Sequence, residues 1–255
     1  MLRPMDCVVG DARADAAYDA ALGGRLADLL LTDPPYCLLT RRRKGGDLRD
    51  PKGRKIEREP ALRFESVREY RSFTRDWMER ALPRLKGERP LVIWTNFLGR
   101  APILEAARAL GYGELWGEFA WGKRSREGGG GGGGAGNEQL VRLYEVALVI
   151  GRVPRRAPGP ADPPECWAAI TGYDDEGEGT EWGAHPHHKP FSALEALVRT
   201  YSRPGDLVLD PFAGSGSIPV AAVRLGREVA CMELRPEWAG LVSRRLAAEA
   251  SPHQR

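Results

Sequence analysis

The chain has 255 residues, 42% hydrophobic and 29% charged, enough for one large domain, or one domain with a small insert, around a real core. No stretch approaches the roughly 18 unbroken apolar residues of a membrane span, and the opening Met1-Leu2-Arg3-Pro4-Met5-Asp6 has no apolar run of the secretory kind. Net charge is only +3, yet residues 41–58 alone carry +6, which fits either a polyanion contact or a solvated arginine-rich loop.

Along the chain, short apolar runs alternate with amphipathic stretches, predicting an α/β fold with a mostly parallel sheet. Strands are expected at 6–9, 29–32, 91–95, 115–121, 144–150, 207–209 and 228–232. Ser66-x-x-Glu69 reads as a capping box, and Val67, Tyr70, Phe73, Trp77, Ala81 and Leu85 then recur at helical spacing up to Gly87. Ser192-x-x-Glu195 opens a second helix in the same way, and 237–249 reads as a closing helix. Three segments interrupt the pattern. The basic block 38–60 reads as a mobile loop, the glycine run 128–134 as a flexible tether, and 152–188 is rich in Pro, Gly and acids, with Trp167 and Trp182 as isolated anchors.

Cys7, Cys37, Cys166 and Cys231 lack C-x-x-C pairing, which suits a reducing compartment and gives no zinc signature. Cys166 with His185, His187 and His188 offers metal-ligand chemistry, but histidines beside prolines in a loop have other uses, and no metal is expected.

Two motifs carry chemistry. Asp33-Pro34-Pro35-Tyr36 ends the apolar run Leu29-Leu30-Leu31-Thr32. Two prolines make a rigid turn, which holds the Asp33 carboxylate and the Pro34 carbonyl at the strand's C-terminal edge, where α/β sheets place ligands. Two such acceptors suit an exocyclic amino group: they take its hydrogens and aim the nitrogen lone pair at an electrophile. The Tyr36 ring can stack on a flat base. An ordinary proline turn after a strand is the plainer alternative.

Asp210-Pro211-Phe212-Ala213-Gly214-Ser215-Gly216-Ser217 follows Leu207-Val208-Leu209. Glycines at a strand-to-helix turn let the backbone approach a ligand. No Gly-Lys-Ser/Thr follows, so this is not a Walker loop, and Pro219 occupies the third glycine position of a dinucleotide fingerprint. The next apolar run ends at Glu233, placed to accept ribose hydroxyls. The pair signals a nucleoside cofactor, with NAD as the lesser possibility.

Taken together and in this order, the motifs resemble those of the β class of DNA amino-methyltransferases, in which the catalytic tetrapeptide precedes the cofactor loop; here Asp33 precedes Asp210 by 177 residues. The resemblance covers nearly the whole chain. Val8-Val9-Gly10-Asp11 is similar to the family's opening strand, whose acid contacts the cofactor's adenine, a role carried to Asp11. Leu85-Lys86-Gly87 before Leu91 resembles the turn after the catalytic loop's helix. Trp121-Gly122-Lys123 looks like the Trp-x-Lys near the target base, and His185-Pro186 with Lys189-Pro190 like the His-Pro-x-x-Lys-Pro beside the cofactor's methionine end. Ser217 stands where threonine is usual, the variable region is short and acidic, and the basic insert is long.

The resemblance implies a Rossmann-like S-adenosylmethionine-dependent methyltransferase fold in circularly permuted order. Residues 1–127 would form the catalytic half with the basic loop 38–60, 128–184 the tether and short target-recognition region, and 185–255 the cofactor half. The catalytic residues would be Asp33, Pro34, Pro35 and Tyr36. S-adenosylmethionine would be bound by Asp11, Lys189, Asp210, Pro211, Phe212, Gly214, Ser215, Gly216 and Glu233. Arg41, Arg42, Arg43, Lys44 and Lys123 would contact double-stranded DNA. The implied reaction is methylation of adenine N6 by base flipping, with cytosine N4 as the alternative. RNA or protein amino-methylation is disfavoured by motif order, and an idle binding module by the intact motifs. A prokaryotic or phage protein in the cytoplasm, near the nucleoid, is implied. A homodimer and a cognate restriction endonuclease are possible partners.

Overall fold

Most predicted strands are continuous apolar runs, which requires both faces of the sheet to be covered. The computed structural model, which describes residues 6–39, 64–123, 144–153, 170–172 and 189–250, shows that arrangement. Strands β1 (Val8–Val9), β2 (Leu29–Thr32), β3 (Leu91–Thr95), β4 (Glu114–Lys123), β5 (Tyr144–Gly151), β6 (Ile170–Gly172), β7 (Leu207–Asp210) and β8 (Glu228–Glu233) form one sheet. Their order is β1-β8-β7-β2-β3-β5-β4-β6. β5 runs antiparallel to β3 and β4, and the other pairings are parallel. The expected mostly parallel α/β sheet is therefore present. β6 falls in the stretch that showed no strand pattern; its three residues pair with the end of β4.

Successive strand residues feed two cores. Leu29, Leu31, Val92, Trp94, Val208 and Cys231 face one, and Leu30, Leu91, Ile93, Leu209, Ala230 and Met232 the other. Helices α1 (Asp15–Leu22), α2 (Val67–Ala81) and α3 (Phe97–Ala109) cover the second face through Tyr18, Trp77, Met78, Ile103 and Ala107. Helices α4 (Phe191–Tyr201), α5 (Ser217–Arg224) and α6 (Pro236–Ala250) cover the first through Leu194, Leu197, Ile218, Val242 and Leu246.

Ser66 caps α2 by accepting a hydrogen bond from Glu69 N at 3.2 Å, as its spacing predicts. The helix ends at Ala81, short of Leu85, because Pro83 has no N–H to continue it; a single 3₁₀ turn, Leu82–Arg84, follows. Ser192 is not a cap. Pro190 is the N-cap of α4, with φ −67°, so the helix begins one residue before Ser192 and its cap makes no side-chain hydrogen bond.

The connections define where a ligand fits. The helix after β2 lies on one face, and the helix after β7, its neighbour, lies on the other. Adjacent parallel strands whose following helices diverge leave a crevice at their C-terminal ends. Asp33 follows β2 and Pro211 follows β7, so both motifs flank it.

Candidate active site

The crevice opens into a cavity of about 550 Å³, within the range of small-molecule sites. Asp11, Gly214 and Glu233 line it together with Asp33, Pro34, Pro35, Tyr36 and Lys189. Apolar walls come from Phe73, Phe212, Ile218 and Leu234.

The nucleoside-like end is built by β1 and β8, which pair Val9 with Glu233 although they come from opposite ends of the chain. Gly10 N donates to the Glu233 carbonyl at 2.9 Å, fixing the turn that presents Asp11. The Glu233 carboxylate accepts Gly214 N at 2.9 Å and Arg235 N at 3.1 Å. Gly214 has φ +53°, a left-handed turn open to glycine at little cost, and this brings its N–H to the carboxylate. The Asp11 carboxylate is held below the usual carboxylate range chiefly by the Arg13 side-chain hydrogen bonds, at 2.6–3.2 Å.

At the other end lies a buried charge cluster. Lys189, 3% exposed, donates to the Asp33 carboxylate and approaches Glu145 Oε2 at 3.0 Å. Tyr36 OH donates to the same Glu145 oxygen at 2.8 Å. The ammonium stands 5.5 Å from the Tyr36 ring centroid and 5.4 Å from that of Trp94. Burial pulls the Lys189 pKa down, but the charges of Asp33 and Glu145 outweigh it and raise the value above normal. Burial first, then the same two carboxylates, pushes the Tyr36 hydroxyl well up, so it stays a donor. Trp94 packs edge-on against Trp121, linking the expected Trp-x-Lys strand to this cluster.

Asp210, Ser215 and Gly216 stand outside the cavity lining and brace it from behind. Asp210 Oδ1 accepts Thr32 Oγ1 at 2.7 Å and Phe212 N at 3.1 Å, tying the ends of β2 and β7. Its Oδ2 is buried with no hydrogen-bond partner among the described residues. Desolvation raises the Asp210 pKa to about 7. Ser217 Oγ accepts Lys189 N at 3.3 Å and meets Ser215 Oγ at 2.8 Å, which gives the serine in the threonine position a use. Lys123 ends β4, with only its backbone described, and Arg41, Arg42, Arg43, Lys44, His185 and Pro186 lie outside the described residues, as does the glycine run. Sequence reasoning missed Glu145 and Arg13. A lone acid in Tyr-Glu-Val-Ala-Leu-Val-Ile was the available signal for Glu145.

With this geometry in place, comparison with known proteins is specific. Residues 155–243 match the DNA methylase family. That segment holds Lys189, the 210–217 turn and Glu233, but not Asp33. The DNA adenine methyltransferase YhdJ of Escherichia coli is 39% identical over 66 residues, 26% of this chain and 22% of that protein, so the likeness spans under a quarter of the relative's length. The crystal structure of the M1.HpyAVI–SAM complex superposes with a TM-score of 0.65 at 18% identity, over 94% of this chain and 98% of that one. The cytosine-N4-specific PvuII DNA methyltransferase gives 0.64 at 17% identity, over 99% and 90%. The fold is that of S-adenosylmethionine-dependent DNA methyltransferases. Among the described residues no helix is long and apolar enough to cross a membrane.

Proposed function

We propose that this chain transfers a methyl group from S-adenosylmethionine to an exocyclic amino nitrogen of a base in DNA, with adenine N6 the target. The observation that carries the reading is the meeting of Asp33 and Tyr36 with Asp11, Gly214 and Glu233 in one cavity. The residues fit the cofactor. Two carboxylates, Asp11 and Glu233, suit its adenine amino group and ribose hydroxyls, while Phe212 and Ile218 offer apolar walls. Bound there, S-adenosylmethionine would supply an activated methyl group on a sulfonium.

The Asp33 carboxylate and Pro34 carbonyl accept the hydrogens of the amino group and aim its nitrogen along the cavity. Tyr36 supports the base plane. Lys189 holds Asp33 in place, so catalysis is mainly alignment. The base leaves the duplex at a cost of a few kcal/mol; contacts of Arg41, Arg42, Arg43 and Lys44 with phosphates are proposed to offset this, with Lys123 near the target base. Asp210, Ser215 and Gly216 shape the cofactor turn from behind.

An acid at the first tetrapeptide position and the similarity to YhdJ support adenine. Cytosine N4 is the second reading, favoured by the fold likeness to the PvuII enzyme. The test is tritium transfer from labelled S-adenosylmethionine to duplex DNA, RNA and protein in parallel. Counts in DNA alone are expected, and counts only in RNA or protein would refute the substrate class. A cytoplasmic role in a restriction-modification system fits this activity, and a dimer or partner endonuclease would be seen in pull-down and sizing experiments.

A further inference from the structure

The two carboxylates at the nucleoside-like end of the cavity are engaged in different ways. Among the described residues, Glu233 takes one backbone N–H on each oxygen, from Gly214 on Oε2 and from Arg235 on Oε1, so each oxygen keeps a further lone pair. Asp11 takes four contacts, all from Arg13. The backbone N–H and Nε of Arg13 donate to Oδ1 at 2.9 and 3.0 Å, and Nε and Nη2 donate to Oδ2 at 3.2 and 2.6 Å. An ionised carboxylate has about four acceptor positions, so Arg13 alone fills them. The same guanidinium lies 5.9 Å from the Phe73 ring centroid, and Arg13, Asp11 and Phe73 all line the cavity.

We propose that the Arg13 side chain competes with the cofactor's adenine for Asp11 and the Phe73 face, so that S-adenosylmethionine binds by displacing it. The proposal rests on the reading of Asp11 as the acceptor for the adenine amino group. A guanidinium and an adenine edge offer the same two features, a planar π face and N–H donors in its plane, so one carboxylate and one ring suit either. They do not suit both at once, because the amino hydrogen needs an acceptor position that Arg13 fills. Only the side chain has to move. The Ala14 N–H donates to the Asp11 carbonyl at 2.9 Å and fixes the backbone turn just before α1. The bridge is open to release: the Arg13 and Asp11 side chains are 50% and 35% exposed, so water screens their attraction. Asp76, three residues beyond Phe73 on α2, also lines the cavity, and its negative charge acts on Arg13. It offers the displaced guanidinium a second carboxylate.

Calorimetry on the full chain tests this with adenosine, a neutral probe of the nucleoside end alone, and with S-adenosylmethionine alongside. Arg13→Ala removes the donors, the charge and the ring contact and adds no new apolar surface. It should tighten binding of both ligands by about 2- to 5-fold, the scale of one exposed ion pair, with Tm near wild type. Arg13→Lys keeps the charge but cannot span both oxygens, and its affinity should fall between the two. The gain in Arg13→Ala should shrink at high salt, because salt weakens the bridge in the wild type as well. A gain indifferent to salt would have another origin and would overturn the proposal. So would unchanged or weaker adenosine binding by folded Arg13→Ala, the signature of an arginine that supports Asp11 or holds the ligand. If Arg13→Ala does not fold, Arg13→Lys decides: tighter adenosine binding than wild type upholds the proposal, and equal or weaker binding overturns it. A wild-type chain that binds neither adenosine nor S-adenosylmethionine would remove the cofactor reading itself, an outcome visible before any variant is made.

Discussion

Two aspartates bracket one pair of strands and are treated in opposite ways. Asp28 enters β2 at the N-terminal edge of the sheet, where its carboxylate accepts Lys86 Nζ at 2.7 Å, Arg89 Nη2 at 3.1 Å and Leu207 N at 3.0 Å. Asp210 ends β7 at the C-terminal edge, where Thr32 and Phe212 engage one oxygen and the other has no partner among the described residues. Burial raises the Asp28 pKa, but Lys86 and the Leu207 N–H win and hold it below the ordinary value; burial wins at Asp210 and takes it to about 7. Both residues stitch β2 to β7. The closed end is arranged for stability, with cations saturating its acid. At the open end carboxylates gather around a cavity, and the buried ammonium there, Lys189, is engaged by Asp33 and Glu145. Crowding acids at one edge costs stability and concentrates acceptors where a cationic cofactor and an amino group would meet.

The sharpest break of this comparison is at Asp33. Asp33→Ala should reduce methyl transfer by more than about 1000-fold, as removal of a group at the reacting atoms does, while cofactor affinity changes within a few fold. A parallel loss of both would mean that the turn serves the cofactor. At the closed end the effect should be reversed. Asp28→Ala leaves Lys86, Arg89 and the Leu207 N–H without their acceptor, and should lower unfolding free energy by about 2–4 kcal/mol in urea titration. Cofactor affinity in the folded variant should be unchanged.

How far these two ends could be foreseen differs by element. The strands were legible because both faces are buried, so Leu29-Leu30-Leu31 and Leu207-Val208-Leu209 read as continuous apolar runs. The Asp33 turn and the 210–217 turn were legible because proline and glycine mark their own backbone demands. α1 was not legible: it has eight residues, and Ala14 at its start provides no side-chain cap. α3 hid behind Pro102 within it and the exposed Phe97 at its start. The Lys189–Glu145 pairing joins residues 44 apart, across segments without periodicity, and only the fold brings them together. Asp28 was not singled out, because its partners Lys86, Arg89 and Leu207 become neighbours only when β2 and β7 pair.

Within the open end, Asp11→Ala and Glu233→Ala should each weaken S-adenosylmethionine binding by about 1–3 kcal/mol, the cost of one lost buried hydrogen-bonding group. Unchanged calorimetric affinity in both would separate the cofactor from this cavity. The effect at Asp210 shows only in the pH dependence of stability. Its folded pKa lies above the unfolded value of 3.8, so the native state binds the proton more tightly, and stability falls as pH rises from about 4 to about 7. Asp210→Asn keeps the acceptor used by Thr32 and Phe212 and removes that loss. Its stability relative to wild type should rise across this window by up to about 4 kcal/mol, about 1.4 kcal/mol for each pH unit of the window, and level off above it. A difference that is flat with pH would mean that Asp210 is ionised throughout.

The central claim is that the two turns at the β2–β7 seam form one site for methylating an amino group in DNA. It is tested most directly by mass spectrometry of nucleosides from the DNA of a methylation-free host expressing either the wild-type chain or Asp33→Ala. The account predicts N6-methyldeoxyadenosine with the wild type and none with Asp33→Ala. N4-methyldeoxycytidine in its place would move the target and leave the site intact. Unmodified DNA from wild-type cells containing folded protein, or modification that survives Asp33→Ala, would contradict it.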